Sequence, residues 1–378
     1  MDIYNCRFLQ LLRVAVGSAD SLEEQFTAEE WCAMRQLAQK HSLIGVVFSA
    51  IERLPKEQRP PSRMIVEWYV AVERIKKANV ALTDEAVRLQ EMLHAFAFNS
   101  AILKGQGIAK YYPDSLLRMP GDIDIWLEGG MHRILRFLRP RFCLGEIVYH
   151  HVDAHLSDIA DVEVHFRPSW LNNPLHNYRL QRWFRTEEKR QMRRGGQSAD
   201  EQILLVPDDE FNIVYLILHI YRHFFDEGVG LRQLMDLYFV LVHESDFPGS
   251  VSVADRCRSV VSKLESFGLK RFAGAVMFVL CRVFGLQAGQ CIVPPDKVLG
   301  EMLLEEVLIA GNFGKYDMRK KSPTKVGTLA NLARKTKRNM RFVRYFPDEV
   351  LWDVPFKICH YFWRVYINRK YKTAWRIL

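Results

Sequence analysis

Two aspartates one residue apart, Asp122 and Asp124, stand at the head of an apolar run, Gly121-Asp122-Ile123-Asp124-Ile125-Trp126-Leu127. Strand alternation sends both carboxylates to one face and Ile123, Ile125 and Leu127 to the other, so the acids project about 7 Å apart from one rigid element. Such a pair suits a divalent cation, because Mg²⁺ takes hard oxygen ligands and keeps part of its water shell. A third acid comes from a later alternating segment, Asp161-Val162-Glu163-Val164-His165-Phe166-Arg167. Its even positions are apolar, which puts Asp161, Glu163, His165 and Arg167 along one edge. Upstream, Lys104-Gly105 follows the apolar segment Ala101-Ile102-Leu103 and opens a helical stretch. Backbone amides at a helix start, with a lysine beside them, favour a polyphosphate. Arg118 lies four residues before Asp122, on the loop that delivers the acidic strand. Three carboxylates beside a basic glycine turn predict metal-assisted transfer of a nucleotidyl or phosphoryl group.

An Asp-x-Asp pair alone is weak, since a solvated edge strand also carries one; the neighbouring segments supply the specificity. In order and type, Leu103-Lys104-Gly105, Tyr112-Pro113-Asp114, Arg118, Gly121-Asp122-Ile123-Asp124 and Glu163-Val164-His165-Phe166-Arg167 carry a resemblance. The chain resembles the nucleotidyltransferase fold of the DNA polymerase β superfamily. It is similar to a branch known as uncharacterised nucleotidyltransferases. A looser likeness continues through Gly311-Asn312-Phe313-Gly314 and Arg344-Tyr345-Phe346-Pro347.

That resemblance implies an enzyme using Mg²⁺ or Mn²⁺ to move NMP from an NTP to an acceptor, with release of pyrophosphate. It implies that Asp122 and Asp124 are the paired metal ligands and that Glu163 is the third catalytic carboxylate. It also implies that Lys104-Gly105 stands where the superfamily usually has a Gly-Gly or Gly-Ser turn cradling the triphosphate, which makes Lys104 a direct contact. Arg118, His165 and Arg167 are further candidates for nucleotide binding. The acceptor, a small molecule, a sugar or a protein, is not specified by any motif. The alternative is an inactive nucleotide-binding or interaction protein on the same fold, accessory to polysaccharide biosynthesis.

The elements that must position these residues follow from periodicity. Residues 1–98 read as helical, with apolar spacing of three and four over 28–54 and 64–98 and a capping box at Thr27-Ala28-Glu29-Glu30. Residues 99–206 form a small mixed-sheet α/β core: a helix over 131–138, an antiparallel pair over 146–155 and 161–167, a flexible connection at Gly195-Gly196 and a closing strand over 202–206. Residues 207–378 are helical, beginning with segments 210–225, 231–243, 251–267 and 269–284 and an Asp208-Asp209 cap. The expected class is α+β, a nucleotidyltransferase core embedded between N-terminal and C-terminal helical regions. In the second half, Arg222, Arg232 and Asp236 are placed to line a cleft facing the acids, with Asp236 paired to Arg232 along its helix. His219 and His223 share a helix face but lack a third zinc ligand.

With 378 residues, 49% hydrophobic and 26% charged, the chain has the composition of a folded globular protein. Its seven cysteines are scattered without zinc or redox spacing, which predicts a reducing, cytoplasmic setting. The N-terminal apolar stretch is too interrupted for a secretory signal, and the run over 273–286 is broken by Arg282, so no membrane span is expected. Residues 315–378 hold 17 Lys/Arg against 4 Asp/Glu. Interleaved aromatics there predict core rings under a basic exterior, with nucleic-acid binding possible but not favoured.

Overall fold

The computed structural model describes residues 2–193, 204–243, 253–317 and 328–372. The fold is α+β, with a five-stranded mixed sheet set among helices. At the N-terminus lie α1 (Ile3–Ala15), α2 (Ala28–Lys40), α3 (Ile44–Arg53) and α4 (Ser62–Ala95). The Thr27 side chain accepts from the Glu30 amide while the Glu30 carboxylate accepts from the Thr27 amide, so the capping box forms in both directions. The helix expected over 28–54 is two helices. The chain turns at His41-Ser42-Leu43, where Ser42 takes a left-handed φ of 57°.

The strands are β1 (Ser100–Leu103), β2 (Ile123–Leu127), β3 (Leu144–Ile147), β4 (His151–Ala154) and β5 (Val162–His165), in the order β1-β2-β5-β4-β3. Only the β2–β5 pair is parallel, joined by a crossover through α6 (Gly130–Leu138) and the β3–β4 hairpin. The segment 146–155, expected as one strand, is that hairpin. Gly195-Gly196 and residues 202 and 203 lie outside the described residues. The remainder of the expected closing strand forms no ladder: the Leu205 carbonyl accepts from the Ile102 amide (2.9 Å) and the Leu205 amide donates to Gln90 (3.0 Å).

Alternation divides this sheet into two chemical faces. Ile123, Ile125, Leu127, Val152, Val162 and Val164 join one buried cluster with Leu82, Ala86, Leu89 and Leu93 of α4 and with α6. The other face carries Asp124, Trp126, His151, Glu163 and His165. Trp126 stacks on Phe211 (ring centroids 5.4 Å apart), which ties this face to the helical half. That half comprises α7 (Pro174–Met192), α8 (Asp209–Asp226), α9 (Leu231–Val242), α10 (Val253–Ser266), α11 (Lys270–Phe284), α12 (Lys297–Ala310), α13 (Thr328–Met340) and α14 (Pro347–Lys372). Asp208 caps α8 by accepting from the Phe211 amide. No described helix is long and apolar enough to cross a membrane.

Along the basic C-terminal segment, Phe342 and Phe346 are buried, as a core reading requires. Trp352, Tyr361, Phe362 and Tyr366 instead lie exposed on α14, because that helix turns Glu349, Val350, Asp353 and Ile367 toward the body. Glu349 is its inward anchor. It pairs with Arg222 of α8 and accepts from the Asn172 amide (3.2 Å). Burial pushes its carboxyl from the ordinary 4.5 up to about 7, against the pull of Arg222. A carboxyl with a raised folded pKa stabilises below its unfolded value and loses that contribution as pH rises through the folded one. Stability should therefore fall between pH 4.5 and 7, by about 3 kcal/mol at most from this group. Urea denaturation at pH 5 and pH 7.5 checks this: Glu349→Gln should flatten the difference, and an unchanged slope would remove Glu349 as its source.

Candidate functional site

The polar face of the sheet opens into a cavity of about 410 Å³. Register places its central residues. Asp124 and Glu163 are direct partners across the parallel β2–β5 pair, and His151 stands opposite His165 across β4–β5. Lys104 closes β1 and precedes α5 (Gly105–Ala109), a single short turn. Its backbone holds φ 49° and ψ −148°, a conformation rarely open to a side-chain-bearing residue, and Gly105 follows at φ 43°. Gly107 has no room for a side chain, since a Cβ would come within 2.7 Å of the Ile102 carbonyl. The turn is thereby pressed against β1, and the Lys104 side chain is directed at the acids.

Asp124 is 2% exposed and receives two donors on one oxygen: Lys104 Nζ at 2.7 Å and His165 Nε2 at 2.9 Å. His165 Nε2 also lies 3.3 Å from Glu163 Oε2, and His151 Nδ1 lies 3.3 Å from the same oxygen. Burial alone would discharge these groups, yet their mutual fields win. Burial lowers the Lys104 pKa, but Asp124, Tyr215, Glu163 and Asp122 raise it well above its ordinary value. Burial raises Glu163, but hydrogen bonding to His165 and the charges of Lys104, His165 and His151 hold it at about 2. Burial likewise lowers His165, and its bonds to Asp124 and Glu163 raise it overall. His151, depressed by burial and the neighbouring His165, falls to about 4, and burial drives His150 well below the usual histidine range. Lys104 and Glu163 are thereby held charged, beside the two neutral imidazoles of His150 and His151.

Of the residues singled out from sequence, Lys104, Asp124, Glu163 and His165 are in mutual contact. Asp122 is exposed, one residue before β2, on the wall of the same cavity. Its carboxylate stands outside the groups of ligand atoms that converge. Two arginines expected to contact nucleotide are otherwise engaged. Arg118 is buried and held by Asp236 through two parallel bonds, Nε–Oδ1 and Nη2–Oδ2, both 2.8 Å, while Tyr112 donates to the same carboxylate at 2.6 Å. That fork-to-carboxylate geometry uses two of its five N–H donors and fixes the guanidinium, which still lines the cavity. The pairing of Asp236 with Arg232 is corrected accordingly: Asp236 belongs to Arg118. Arg167 lies beyond the end of β5, where the edge alternation has stopped, and its guanidinium sits over the Tyr149 ring at 4.3 Å.

His150, His151, Trp170 and Tyr215 also line the cavity and were not legible as site residues. The His150-His151 doublet was the available signal, but its position beside Glu163 depends on the hairpin that splits 146–155. Ligand atoms of Asp124, Glu163 and His165 lie within 4.8 Å of one another. Two carboxylates and one imidazole, with Asp122 on the adjoining wall, are a donor set able to hold a divalent cation.

A family model described as an uncharacterised nucleotidyltransferase matches residues 27–285. The chain belongs to that family, and the membership supports a general nucleotidyltransferase activity. No curated protein matches the chain.

Charge pairing at Asp124 makes an energetic prediction. Asp124→Asn keeps the shape but leaves Lys104 and His165 desolvated without their counter-ion, an imbalance that costs about 3–5 kcal/mol in buried pairs. Asp122→Asn, at an exposed position, should stay within about 0.5 kcal/mol of wild type. Chemical denaturation of both variants decides the point; equal small losses would show that the buried pair is not holding this face together.

Proposed function

We propose that this member of the family is a Mg²⁺- or Mn²⁺-dependent nucleotidyltransferase that moves NMP from an NTP to a hydroxyl-bearing acceptor. The observation that carries the reading is the in-register pair Asp124–Glu163 on a parallel β-ribbon, with Lys104 directed at it and Asp122 on the adjoining wall. In this reading Asp122, Asp124 and Glu163 hold the cation and are the catalytic residues. Lys104, Gly105 and His165 lie along the phosphate chain, while Arg118 acts at one remove by fixing the loop that carries Asp122. A bound divalent ion supplies Lewis-acid stabilisation to the oxygens that gain charge at phosphorus. The acceptor oxygen forms a bond to the α-phosphorus, the bond from that phosphorus to the bridging oxygen of the β-phosphate breaks, and pyrophosphate leaves. The acceptor proton passes by way of the carboxylates to solvent. With a divalent ion held by the acids, the Lys104 ammonium would be available to the β- and γ-phosphates.

A second reading rests on one contact. Lys104 Nζ, 2.7 Å from Asp124, is itself a cation on the central carboxylate. A chain that keeps this pair while nucleotide is bound would be a nucleotide-binding protein without turnover. Labelled ATP, GTP, CTP and UTP, incubated with the protein, Mn²⁺ and fractionated lysate, separate the two. The enzyme reading predicts pyrophosphate release and a labelled product, both reduced at least about a hundredfold in Glu163→Gln. Binding of nucleotide with no pyrophosphate from any fraction would favour the second reading. Full activity in Glu163→Gln would contradict the role given to that residue.

A further inference from the structure

The 410 Å³ cavity adjoins a wider groove of about 1390 Å³, and both are lined by Gly121, Asp122, Glu163, Arg232, Phe313 and Lys315. Arg232 is the anomaly at this junction. It is 7% exposed, yet no described carboxylate forms an ion pair with it. Asp236, one turn further along α9, is committed to Arg118 and Tyr112. One Arg232 amino group donates a long bond to the Met119 carbonyl (3.3 Å), the guanidinium lies 5.5 Å from the centre of the Phe313 ring, and Nε is buried without a partner. A buried cation lacking a counter-ion is expensive in the free protein. Burial and the nearby Arg118 lower its pKa by more than Asp236, Tyr112 and Asp122 raise it.

Its place in the chain adds a second penalty. Arg232 is the second residue of α9, a twelve-residue helix, where the macrodipole and the free amides are positive. An arginine at that end raises the local potential further, and the combination favours an anion. Room for one exists on the side facing the acids. Gly121, next to Asp122, has no side chain, and a Cβ built there would sit 3.8 Å from Arg232 Nη1. Lys315 adds an exposed ammonium on the same wall.

We propose that Arg232, at the start of α9, is the receptor for the phosphate chain of the nucleotide, across the cavity mouth from Asp122 and Glu163. This deepens the reading given above and rests on it for the identity of the anion. It adds a basic contact from α9 to a cavity that Arg118 also lines. The arrangement explains why an arginine is kept where it destabilises the empty protein: binding sites commonly retain groups that are unfavourable without ligand.

Calorimetry on the full chain tests this with two probes, inorganic triphosphate without metal and the four NTPs with Mn²⁺, on wild type, Arg232→Met and Arg232→Lys. We expect wild type to bind both classes, Arg232→Met to lose at least tenfold in affinity for each, and Arg232→Lys to recover part of the loss. The thermal midpoint of ligand-free Arg232→Met should equal or exceed that of wild type, which a merely structural arginine would not allow. Triphosphate affinity within twofold of wild type in Arg232→Met, or a lowered midpoint of the ligand-free variant, would overturn the assignment. If triphosphate binds through Arg232 but no NTP binds, the anion receptor stands and the nucleotidyltransferase reading falls. If wild type binds neither probe, both fall.

Discussion

The buried carboxylate of Asp124 is the constraint on which this architecture turns. Its charge is tolerable only because Lys104 and His165 meet it at 2.7 and 2.9 Å. Each donor is in turn fixed by a separate element: Lys104 by a left-handed residue at the end of β1, His165 by its register on β5. The acid, its two donors and Glu163 therefore order one another. At Lys104 and Glu163 the effect of burial is overcome by the neighbouring charges and hydrogen bonds. In the proposed reading the same mutual dependence has a chemical use, since a divalent cation would replace the charge of Lys104 without leaving Asp124 unpaired.

The helical half matters because it is locked to this cluster at defined points. The Arg118–Asp236 fork joins the loop before the acidic strand to α9, and Tyr112 closes the same carboxylate. Trp126 on Phe211 joins β2 to α8, and Arg222–Glu349 joins α8 to α14. Through the first of these, the start of α9 and its arginine are held at a fixed place relative to Asp122.

Much of this was readable from residue types. The alternation in 121–127 and 161–167 placed Asp124, Glu163 and His165 on one face, because a half-buried strand has only one way to sort apolar from charged residues. Helices α8, α9 and α11 and the Asp208 cap were similarly legible from three- and four-residue spacing, whereas α7, in the polar basic stretch after Trp170, was not expected. What failed were features set by long-range pairing. The split of 146–155 into a hairpin, and with it the approach of His150 and His151 to Glu163, depends on strand neighbours distant in sequence. The exchange of Asp236 from Arg232, four residues away, to Arg118, more than a hundred residues away, has the same cause: a local helical pair is worth a few tenths of a kcal/mol, while a buried bidentate pair is worth more. Arg167 was misplaced because alternation was extended two residues past the end of β5. The exposed rings of α14 follow from a face chosen by Glu349 and Asp353, which composition does not reveal.

The most direct test is an anomalous-scattering map from crystals grown with Mn²⁺ and a non-hydrolysable nucleoside triphosphate. The account predicts a manganese peak at the Asp124 and Glu163 carboxylates, with Lys104 Nζ withdrawn toward the phosphates. A map with nucleotide bound, no peak between these acids, and Lys104 still seated on Asp124 would contradict it.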